Sequence, residues 1–101
     1  MKYFNEEFVN SLVAKDLRRL INQIWKLLPM RENNEDWQKQ LNIVLLELRG
    51  LHVMFGDQLN YLILLSQLEG LRDEVDFMIY RVTVFSAISA MTELANSLDV
   101  K

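Results

Sequence analysis

The sequence predicts an all-α fold: a four-helix up-and-down bundle in a single domain over residues 1–101, completed by homodimerisation. Three observations predict it. The chain holds only three glycines and one proline in 101 residues, too few for the turns of a small sheet protein. Apolar residues recur at three- and four-residue spacing over long stretches. Half of the residues are hydrophobic and a quarter charged, the balance of a globular chain of a size that gains from subunit association.

The first helix is expected over about residues 3–28, with Leu17, Leu20, Ile21, Ile24 and Leu28 on one stripe and Pro29 as its stop. Phe8 and Leu12 fall off that stripe, which predicts a bend or restart near Ser11 to Asp16, or a different neighbour. MRENN then reads as a loop. Asn33 or Asn34 is placed to cap a second helix, with Glu35 and Asp36 in the first turn where the helix dipole favours acids. That helix is expected over 35–55, with Trp37, Leu41, Val44, Leu45, Leu48, Leu51 and Phe55 on one face and Gly50 permitting a close helix crossing.

Gly56-Asp57 supplies a stop and a new cap for a third helix over 58–70. Its residues LNYLILLSQLEG carry a single charge. Leu59, Leu62, Ile63, Leu64, Leu65 and Leu68 surround the axis, the pattern of a helix buried on most sides, so this is expected to be the most buried of the four. It partly echoes residues 41–51, read as two helices under similar packing demands, since two copies are fewer than a solenoid needs. Gly70 ends it, and Asp73 is placed to cap a fourth helix over 73–98.

The fourth helix has two apolar faces. Val75, Met78, Ile79, Val82 and Phe85 lie on one side; Phe77, Tyr80, Val84, Met91, Leu94 and Leu98 lie roughly opposite, at about 100° per residue. Arg81 is the only charge between Phe77 and Met91. One small bundle covers one such face, so the surplus calls for a second subunit or another protein partner. The face of Phe77, Tyr80, Val84, Met91, Leu94 and Leu98 is assigned here as the interface, with Ser86, Ala87, Ser89 and Ala90 small enough to let a second helix approach. The functional expectation is a non-enzymatic protein–protein interaction module, an adaptor or regulator acting as a homodimer.

Other chemistry finds less support. The absence of cysteine excludes disulfides, thiolate metal sites and thiol catalysis. His52 is the only histidine, so a triad or His-based metal site would borrow partners from distant helices, and a helix-surface or interface role is the simpler reading. No glycine-rich phosphate loop occurs. Trp25 and Trp37 read as core or interface anchors. Arg81 reads as an edge residue or as half of a buried pair with Glu47 or Glu69. No catalytic residue, metal or cofactor is assigned.

Two polar patterns define the alternatives. Lys15, Arg18, Arg19, Asn22 and Lys26 share a basic face of the first helix, which could hold phosphates in a nucleic-acid-binding regulator. The ordinary reading is the solvated side of an amphipathic helix, and the net charge of −3 does not favour nucleic acid. The acid pairs Glu32 with Glu35 and Asp73 with Asp76 are loosely similar to those of all-α magnesium-dependent nucleotide pyrophosphohydrolases. Caps and first-turn acids explain the same residues. The polar start MKYFNEEFVN is not a signal sequence, so a cytoplasmic location is expected. The run FMIYRVTVFSAISAM is too short to span a bilayer, so no membrane span is expected.

Overall fold

The computed structural model describes residues 6–99, and every regular element among them is helical. In chain order these are α1 (Glu6–Trp25), α2 (Leu27–Glu32), α3 (Trp37–Arg49), α4 (His52–Phe55), α5 (Leu59–Gly70), a 3-10 turn over Leu71–Asp73, and α6 (Phe77–Asp99). The expected start at residue 3 and the placement of Phe8 lie outside what is described.

Pro29 ends the first helix three residues earlier than expected. Its ring excludes the carbonyl of residue i−4, which is Trp25, and it has no N–H to offer that carbonyl. α1 accordingly ends at Trp25, and Pro29 falls in the first turn of α2, where an N–H would be unpaired anyway. The chain stays helical to Glu32, so three of the five residues of the expected loop are helix. Asn34 then adopts φ 58°. The Glu35 amide donates to the Met30 carbonyl at 2.8 Å and the Asn34 amide to Arg31 at 3.1 Å, the paired bonds of a Schellman ending with asparagine in the left-handed position.

Asn34 therefore terminates a helix instead of starting one. Asp36 takes the N-cap of α3, its carboxylate accepting from the Lys39 amide at 3.1 Å. Likewise Asp76, and not Asp73, caps α6 by accepting from Met78 at 2.8 Å and Ile79 at 3.2 Å. Leu71–Asp73 is occupied by the 3-10 turn that closes α5. Gly50 is the exposed C-cap of α3, where the helix breaks before α4, so it mediates no helix crossing. α1 runs without interruption through Ser11 to Asp16, and Leu12 faces outward.

Side-chain bridges fix the directions of the helices. Arg18 donates to Asn96, and Trp25 meets Phe85 edge-on, so α1 and α6, the most extensively packed pair, run antiparallel. Arg19 reaches Glu47 and Gln23 meets Gln40, making α1 and α3 antiparallel. Arg72 reaches Asn42 and the Tyr61 hydroxyl donates to the Leu48 carbonyl, which runs α5 back along α3. Gln67 donates to Ser86 at the α5–α6 seam.

These helices surround one core. Ala14, Leu17, Leu20 and Ile24 of α1 meet Leu41, Val44, Leu45 and Leu48 of α3, Tyr61, Leu64 and Leu68 of α5, and Tyr80, Val84, Ala87, Met91 and Ala95 of α6. The sequence stripes of α1 and α3 are the ones buried. α5 behaves otherwise: it buries Tyr61, Leu64 and Leu68 but turns Leu59, Leu62 and Ile63 outward. It is apolar on all sides and covered on one.

Candidate functional site

α6 settles into the core by the face that the sequence reading assigned to a partner. Tyr80, Val84, Met91 and Leu94 are buried within this chain, and Phe77 and Leu98 pack against the same core. The rotation has identifiable causes. Tyr80 lies between Trp37 and Phe77, its ring 5.1 and 6.0 Å from theirs, and its hydroxyl points at the Leu27 carbonyl at 3.4 Å. Asn96 and Ser86, on the helix shoulders, are held by Arg18 of α1 and Gln67 of α5. Burial pushes the Tyr80 hydroxyl up to about 12, against the lowering influence of the nearby Arg31 charge.

The uncovered face is therefore the opposite one. On α6, Ile79 is 52% and Val82 61% exposed; on the adjoining α5, Leu59 is 69% exposed, and Leu62 and Ile63 are also open. Between these two apolar groups lie Ser66, Gly70, Ser86 and Ser89, all exposed and all small. Of the small α6 residues expected to admit a partner helix, Ala87 is buried and Ala90 half-buried, while Ser86 and Ser89 remain outside. Phe77–Leu98 is long and apolar enough to cross a bilayer by length and composition. A core helix passes the same test, and its inner side is packed against neighbouring helices.

The basic face of α1 is partly spoken for. Arg19 bonds Glu47 at 2.5 Å and Asp16 at 3.2 Å, and the Glu47 hydrogen bond is the leading reason its guanidinium holds its proton more firmly than usual. Arg18 donates to Asn96 at 3.2 Å. Lys15, Asn22 and Lys26 are exposed. Glu47 and Glu69 are taken by Arg19 and Arg49, so Arg81 pairs with neither. Arg81 instead lies over the Phe85 ring, 4.9 Å from its centroid, at the helix edge.

Of the acid pairs, Glu32, Glu35 and Asp73 are exposed, and Asp76 takes a structural position. Asp76 caps α6, and Glu74 accepts from the Asp76 amide. Among the described residues no three His, Asp or Glu side chains gather as a metal site would require. His52 is exposed on α4, beside Tyr61. Its carbonyl and ring crowd Gly56, where a Cβ would lie 2.6 Å from the former and 2.8 Å from the latter.

A feature that the sequence reading missed sits at the α2–α3 corner. Arg31, assigned to a loop, stands over Tyr80 at 4.3 Å, Trp37 at 5.3 Å and Phe77 at 5.7 Å, and donates to the Val75 carbonyl at 3.0 Å. Its Nη1 is buried with no hydrogen-bond acceptor; the aromatic faces stabilise its charge instead. Arg31, Trp37, Arg72, Asp73 and Glu74 line an open cleft of about 540 Å³. The signal available in sequence was a lone arginine between a helix-breaking proline and a tryptophan, which is weak. No protein-family model, no curated protein and no solved structure matches this chain.

Proposed function

We propose that this protein is a non-enzymatic interaction module, an up-and-down four-helix bundle that forms a homodimer through the outer faces of α5 and α6. The observation that carries the reading is the set Leu59, Leu62, Ile63, Ile79 and Val82, all large, apolar and more than two-fifths exposed. Scattered surface leucines need no explanation, but an apolar group shared by two packed helices does.

Size supports the same reading. Two helices about 10 Å wide, over about 20 Å of their length, present a face on the order of 400–500 Å² in plan. That is within a factor of two of the ~800 Å² per partner of a standard interface. The two apolar groups lie diagonally across the small residues Ser66, Gly70, Ser86 and Ser89, so a two-fold axis through that saddle sets one group of each copy on the other group of its mate. Small residues at the crossing let the helices approach closely. The Val82→Glu variant should retain its helical circular dichroism and lose half of its mass in solution. An unchanged mass would remove this face as the interface.

A further inference from the structure

We draw no further inference here: the strongest candidate, the open cleft at the α2–α3 corner lined by Arg31, Trp37, Arg72, Asp73 and Glu74, carries nothing, because its lining holds as many carboxylates as arginines, the aromatic rings already stabilise the Arg31 charge, and nothing in the structure shows what would fill it.

Discussion

α1 and α6 lie side by side along the molecule, and they meet water in opposite ways. α1 buries Ala14, Leu17, Leu20 and Ile24 and turns Lys15, Arg18, Asn22 and Lys26 outward, so its sequence pattern and its burial coincide. α6 buries Tyr80, Val84, Ala87 and Met91 yet presents Met78, Ile79 and Val82 to the outside. α5 shares that excess. Charge patterning marks which side of a helix is solvated; where it is missing, the fold must choose between equally apolar faces, and the face not chosen is left for something else to cover.

The sharpest way to break this comparison is to place one charge on each face of α6 in turn. Val84→Glu buries an unpaired carboxylate among Leu and Tyr side chains and should abolish cooperative thermal unfolding. Val82→Glu, two residues away, should leave the helical signal intact and act on association. If both variants unfold, the outer face is not free. A milder pair on α5 sharpens the same point. Leu64→Ala should cost about 2–5 kcal/mol in chemical denaturation through the cavity it opens, whereas Leu62→Ala, measured as a monomer, should stay within about 0.5 kcal/mol.

How far this was legible beforehand follows from the same contrast. The helical class, the stripes of α1 and α3 and the extent of α5 to within a residue could be read from spacing. The rotation of α6 could not. It depends on Trp37, Arg18 and Gln67 reaching across from other helices, contacts between residues distant in sequence. The caps were misread for a local reason: Asp36 and Asp76 each follow another acid or asparagine that competes for the same role, and the turn geometry at Asn34 and Leu71–Asp73 decides between them. Trp25 borders the basic face and reads in sequence as either a core or an interface anchor; only its edge contact with Phe85 places it on the α1–α6 seam.

Tyr80 provides a pH test confined to the inner face. With its folded value raised to about 12 from an ordinary 10, the unfolded chain ionises first. Its contribution is fully present below pH 10 and is lost as pH rises between about 10 and 12, a change of about 3 kcal/mol. Denaturation of the wild type and Tyr80→Phe over that window should diverge, with the variant showing less of the alkaline decline; parallel curves would mean that Tyr80 is not the group responsible.

The smallest expected effects sit at the ends of helices. Asp76→Ala removes the acceptor for the Met78 and Ile79 amides and should lower stability by about 1 kcal/mol, read from the denaturant midpoint at constant slope. No change would mean that water replaces the cap at no cost.

The measurement that bears most directly on the central claim is the mass in solution by light scattering across a hundredfold dilution, with wild type and Val82→Glu side by side. The uncovered α5–α6 face predicts a wild-type mass of twice 12.0 kDa that holds or falls reversibly on dilution, and a single-chain mass for Val82→Glu at every concentration. A wild type that is monomeric throughout, or a Val82→Glu variant that remains dimeric, would contradict it.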